Sequence, residues 1–100
     1  MAGAYVQTGA KIADNVIVNT GALVEHDCLI SAHAHIASRA VLAGGVCIGE
    51  RTHVGAGAVV IQGLAIGKDC TIAAGAAIVR NVAENSTVAG VPGRIVRCNQ

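Results

Sequence analysis

Aromatic residues are nearly missing from this chain: no Trp, no Phe and one Tyr, Tyr5, in 100 residues. A core without large rings is filled by Val, Ile, Leu and Ala, and a domain this short buries a modest core by itself, so partner subunits are expected to add stability. Charge is scarce as well. Seven Lys and Arg stand against six Asp and Glu, a formal net charge of +1, which offers no basic stripe for a phosphate backbone and argues against nucleic acid as a partner. No apolar run is long enough to cross a membrane as a helix and no signal-peptide pattern is present, so no membrane association is expected and the chain reads as cytoplasmic. The four cysteines, Cys28, Cys47, Cys70 and Cys98, have no CxxC spacing. They read as thiols of a reducing compartment, without a disulfide framework.

What is present is a repeat. From Val6 every sixth residue is aliphatic (Val6, Ile12, Val18, Val24, Ile30, Ile36 and on to Ile78), without insertion. Three residues after each lies Gly, Asn or Asp in ten of the thirteen cases, from Gly9 to Asn81, and these residue types accept positive φ at little cost. One position further the residues are small or medium in size, such as Ala10, Ala22, Cys28, Ala58 and Cys70, and suit a narrow interior. A helix needs a period of 3.6 and a hairpin meander needs longer strands, so the unit is a short strand followed by a tight turn. Stacked three to a coil, such units build an all-β, parallel β-solenoid in which residues eighteen apart lie above one another. The span from Val6 to Ala83 gives about four triangular coils. Domain expectations follow: one domain over 1–100, the repeat over 6–83, and a C-terminal cap or tail over 84–100, where the register is lost and Pro92 cannot donate to a ladder. Outward positions such as Ile17, Leu29, Val41, Cys47, Val59 and Ala65 are apolar, which supports self-association.

The eighteen-residue rule also arranges the polar side chains. His53 falls above His35 on an outward face, with Ile17 and Thr71 flanking the pair, and no carboxylate in the column to complete a zinc site; no metal is expected. His26 stands between Glu25 and Asp27 at a corner. A carboxylate bonded to one ring nitrogen fixes the tautomer and leaves the other nitrogen a better base. Above His26 and Asp27 come Gly44 and Gly45, then Gln62 and Gly63, so a groove is expected to run along the axis from His26. A second small column, Ser38, Ala56 and Ala74, lies at the corner nearer His35. Cys28 and Cys70 are expected to point inward, which makes them poor nucleophiles.

The run Asn19-Thr20-Gly21-Ala22-Leu23-Val24-Glu25-His26-Asp27-Cys28, His35-Ile36, the Ala43-Gly44-Gly45 corner, VGAGAVV at 54–60 and AGVPGRIV at 89–96 resemble the hexapeptide-repeat acyltransferases. The likeness is to the sialic-acid O-acetyltransferase type, which includes the bacterial UDP-4-amino-sugar N-acetyltransferases, and it covers residues 6 to 96. It implies a left-handed parallel β-helix assembled as a homotrimer, with sites between subunits. It implies acetyl-CoA as co-substrate and a sugar or sugar-nucleotide acceptor. On the matching positions His26 is the general base and Asp27 raises its basicity. His35 contacts the thioester region, Gly44, Ala56 and Ala74 receive the cofactor through backbone groups, and Arg94, beside GVPG, meets its phosphates near the adenine end. Arg97 is a candidate for those phosphates by the same place, whereas Arg39 and Arg51, at turn positions, read first as solvated charges and only second as phosphate contacts. Members of this family usually carry an N-terminal α/β domain, whereas only Met1 to Tyr5 precede the repeat here, so the chain is read as a fragment or as a free-standing solenoid with a different acceptor. The rival readings are a non-catalytic trimeric scaffold, a cofactor-binding fragment without its acceptor domain, and a zinc hydratase resembling the γ-class carbonic anhydrases, whose histidine spacings this sequence lacks.

Overall fold

Each hexapeptide contributes one strand of two residues, an outward one followed by an inward aliphatic, and there are thirteen of these from Tyr5 to Ile78; the inward residue is buried from Val18 onward, while Val6 and Ile12 in the end coil are less covered. The computed structural model describes residues 3–98, so the single-domain expectation over 1–100 extends beyond the described residues at both ends. The strands form three flat faces. On the first lie β1 (Tyr5–Val6), β4 (Leu23–Val24), β7 (Val41–Leu42), β10 (Val59–Val60) and β13 (Ala77–Ile78); on the second β2 (Lys11–Ile12), β5 (Leu29–Ile30), β8 (Cys47–Ile48) and β11 (Ala65–Ile66). The third carries β3 (Ile17–Val18), β6 (His35–Ile36), β9 (His53–Val54) and β12 (Thr71–Ile72), followed by β14 (Ser86–Ala89) and β15 (Arg94–Cys98). Pairing within the repeat is parallel with partners eighteen residues apart, as in Val24↔Leu42 and Leu42↔Val60.

Every turn residue from Gly9 to Gly75 in the six-residue series has positive φ, including Asn15, Asp27, His33, Arg39, Arg51 and Asp69 at 55–63°. These turns fold the chain into a three-sided prism whose interior is packed by Val24, Ile36, Leu42, Val54, Val60 and Ile72, all fully buried. Cys28 and Cys70 share that interior, and their thiols donate to the carbonyls of Ala43 at 3.2 Å and Ala83 at 3.1 Å. Burial pushes the Cys28 thiol up from its ordinary pKa.

The stack has about five coils where the periodicity predicts about four. Between Ile78 and Val82 the corner is two residues short, so Ile66 pairs with Val82 and Ile72 with Val88, sixteen residues on in each case. Asn81, the one member of the turn series without positive φ, lends its side-chain carbonyl to Ala65 N at 2.9 Å, where the shortened corner offers no backbone acceptor. The ladder then continues through β14, and β15 returns antiparallel along it. No described helix is long and apolar enough to cross a membrane.

Candidate active site

The three corners of the prism differ in what covers them. The second corner, after the second face, holds Asn15, His33, Arg51 and Asp69 at its positive-φ positions and no glycine; the first holds Gly9, Asp27, Gly45 and Gly63, and the third Gly21, Arg39, Gly57 and Gly75. The first and third corners are therefore largely stripped to backbone, and the second is decorated with side chains. Arg51 is tied across coils at the decorated corner, donating to Asp69 through Nε at 2.7 Å and Nη2 at 2.9 Å. That fork occupies the guanidinium and holds the Asp69 carboxyl below its usual range, so Arg51 is a structural staple of the coil stack.

His26 and Asp27 stand on the first, bare corner and both are exposed. His26 Nδ1 donates to Asp27 Oδ2 at 3.3 Å, which leaves Nε2 as the ring's acceptor. The ring lies directly over Gly44 of the next coil: a methyl group there would sit 2.5 Å from both Cε1 and Nε2 of His26. The expected groove above His26 thus begins with the imidazole itself covering Gly44. Beyond it Gly45 and Gly63 carry nothing that crowds them apart from one another. Gly45 N donates to the carbonyl of His26 at 2.9 Å, whereas Gly44 N has no partner among the described residues. An imidazole, the carboxylate bonded to it and an unpaired N–H are gathered within one corner.

At the top of this same corner a cavity of about 460 Å³ opens between residues 78–82 and 92–95. Arg80, Asn81 and Arg94 supply its polar lining and Ile78, Val88 and Pro92 much of its apolar lining. Arg94 therefore stands at the far end of the column that starts with His26. At the usual strand spacing of about 4.8 Å, roughly 14 Å of axis separates the His26 coil from that of Arg80.

The remaining candidates lie elsewhere. His35 projects from the third face, where Asn19 Nδ2 donates to its Nε2 at 2.9 Å and His53 stacks above it with ring centroids 4.6 Å apart, tilted by 55°. Ala56 and Ala74 occupy the third corner, and their backbone N–H groups also lack partners among the described residues. The candidates thus form two groups on one chain: His26, Asp27, Gly44 and Arg94 along the first corner, and His35, Ala56 and Ala74 around the third face and third corner. Sequence reasoning placed Asn19 in the family-like run but missed its contact with His35, because a spacing of sixteen residues carries no periodic signal. Among the described residues no three His, Cys, Asp or Glu side chains converge to hold a metal ion.

The sequence matches no family model and no curated protein. Solved structures do match. A histidine-to-alanine mutant of GDP-perosamine N-acetyl transferase from Caulobacter crescentus, in complex with CoA and GDP-perosamine, is 41% identical, with a TM-score of 0.96 over 97% of this chain and 46% of that one. The acetyltransferase domain of PglB from Neisseria gonorrhoeae, in complex with acetyl coenzyme A, is 45% identical, with a TM-score of 0.95 over 96% of this chain and 47% of that one. Over 96–97% of its length the chain is similar in fold and sequence to these hexapeptide-repeat acyltransferase structures. Its prism is their left-handed parallel β-helix, and it spans a little under half the length of the two structures.

Proposed function

We propose that this acyltransferase domain moves an acetyl group from acetyl-CoA to the amine of a sugar nucleotide, with His26 as the general base. The observation that carries the reading is the His26–Asp27 pair seated over Gly44, on a chain 41–45% identical to structures that hold CoA with GDP-perosamine or acetyl coenzyme A. His26 Nε2 takes a proton from the acceptor nitrogen as that nitrogen attacks the thioester carbonyl. Asp27 stabilises the imidazolium that forms. The unpaired N–H of Gly44 serves the developing oxyanion. Collapse of the tetrahedral intermediate breaks the C–S bond, and the CoA sulfur leaves with a proton returned from His26. No acyl-enzyme is required, in keeping with the burial of Cys28 and Cys70.

The two groups of candidates lie on different sides of one prism, so a ligand reaching both uses two subunits. In a homotrimer, the first corner of one subunit faces the third face and third corner of its neighbour. His35, with Asn19 holding Nε2, presents Nδ1–H as a donor to the thioester region. The pantetheine arm follows the unpaired N–H groups of Ala56 and Ala74, and Arg94 meets the phosphates at the cavity end of the groove. Ile17, Leu29, Val59 and Ile61, between 39% and 52% exposed, provide apolar surface for that assembly. Four unpaired cysteines fit a cytoplasmic protein.

Calorimetric titration of the purified chain with acetyl-CoA tests the reading, with oligomeric state fixed beforehand by light scattering. One saturable site per subunit, weakened in His35→Ala, is expected. A folded trimer that takes up no acetyl-CoA would defeat the transferase assignment and leave the scaffold reading.

A further inference from the structure

His53 is a titratable side chain in contact with a proposed cofactor residue, His35, and has no part in the chemistry above. Its column on the third face reads Ile17, His35, His53 and Thr71, each on the strand that pairs with the next. Ile17 and Thr71 bring no charge. Of the charged residues at the corner leading into β9, Arg51 is committed to Asp69 and Glu50 lies 3.8 Å from the same guanidinium. His53 therefore meets one titratable ring, that of His35. Burial and His35 lower the His53 pKa from its ordinary value, so near neutral pH it meets its neighbour as an uncharged ring.

His35 itself is held on one side only by a hydrogen bond. Asn19, from the coil below, donates to Nε2 at 2.9 Å and so places the ring proton on Nδ1. A partly buried imidazole with that one hydrogen bond can turn over or exchange tautomers. The other side of the ring is closed by His53, at a centroid separation of 4.6 Å and a tilt of 55°, within the range in which rings attract edge to face. Hydrogen bond and ring contact act from successive coils on the same imidazole.

We propose that His53 is a positioning residue for His35, its ring closing the upper side of the His35 imidazole and keeping the proton on Nδ1 in the orientation that Asn19 sets. The consequence for catalysis rests on the reading of His35 as a cofactor contact, whereas the positioning itself does not.

The test is nitrogen-resolved NMR of the histidine side chains in the whole chain, comparing wild type, His53→Ala and His53→Phe, alongside acetyl-CoA titrations of the same proteins. Wild type is expected to show His35 with its proton on Nδ1. His53→Ala is expected to raise the Nε2–H form several-fold and to weaken acetyl-CoA by roughly 3- to 10-fold. His53→Phe, which keeps a ring and removes the nitrogens, is expected to restore the wild-type tautomer. An unchanged His35 tautomer ratio in His53→Ala, or no restoration in His53→Phe, overturns the positioning role. If wild type binds no acetyl-CoA, the functional reading falls, while the tautomer ratios still decide the role of His53.

Discussion

A methyl group at position 44 would lie 2.5 Å from Cε1 and Nε2 of His26, and the obstacle is a side chain, so the ring rather than the backbone has to give way. Gly44→Ala is therefore expected to fold and to assemble with nearly wild-type melting temperature, while the displaced imidazole loses kcat by about 10²-fold. His26→Ala removes the proposed base and is expected to cost about 10²- to 10⁴-fold in kcat. Initial rates of thiol release at saturating acetyl-CoA check both. Wild-type turnover in His26→Ala would remove this residue from the mechanism. The comparison with Gly44→Ala separates loss of the imidazole from loss of its aim, because only Gly44→Ala retains the ring.

The coils are joined by more than ladders, and Thr52 shows how. It stands in the inward small-residue column, fully buried, donating through Oγ1 to the carbonyl of Gly67 at 2.6 Å and accepting from Cys70 N at 3.1 Å. Thr52→Val keeps the shape and strands both backbone groups in the interior, at a cost of about 1–3 kcal/mol for each. Chemical denaturation should register a fall in stability of that order, and an unchanged midpoint would mean that the corner opens to water. The element scale is also where the sequence is most legible. A strict period of six fixes which residues enter the core, so the inward thiols of Cys28 and Cys70 and the stacking of His53 on His35 follow from counting. The missing coil does not. Val82 satisfies the small-residue series it was counted in and also the large-aliphatic series it joins after the two-residue shortening, so the shift leaves no mark until Val82 is seen paired with Ile66. The contact of Asn19 with His35 is hidden for another reason: it depends on a side chain reaching to the next coil, which periodicity of the backbone does not specify. Arg51 was legible in principle, since Asp69 follows it by one full coil, but a cation at a corner also reads as a phosphate contact until its partner is seen.

For the molecule as a whole, the division of the candidates between two sides of the prism makes oligomeric symmetry a kinetic question. If each site joins the first corner of one subunit to the third face of the next, His26→Ala and His35→Ala disable different halves of the same site. Each variant alone has three defective sites in its trimer. When the two are unfolded together and reassembled in equal amounts, a site works wherever a His35→Ala chain supplies His26 and the following His26→Ala chain supplies His35. Random, closed three-fold assembly puts that arrangement at about one site in four, so the mixture should regain about a quarter of wild-type activity. Sites contained within one subunit admit no such repair, and the mixture would then stay at the level of the separate variants. A recovery near one quarter would also explain why bare corners flank the first face while the second corner is crowded: the stripped corners are the two walls of a groove that no single chain can close.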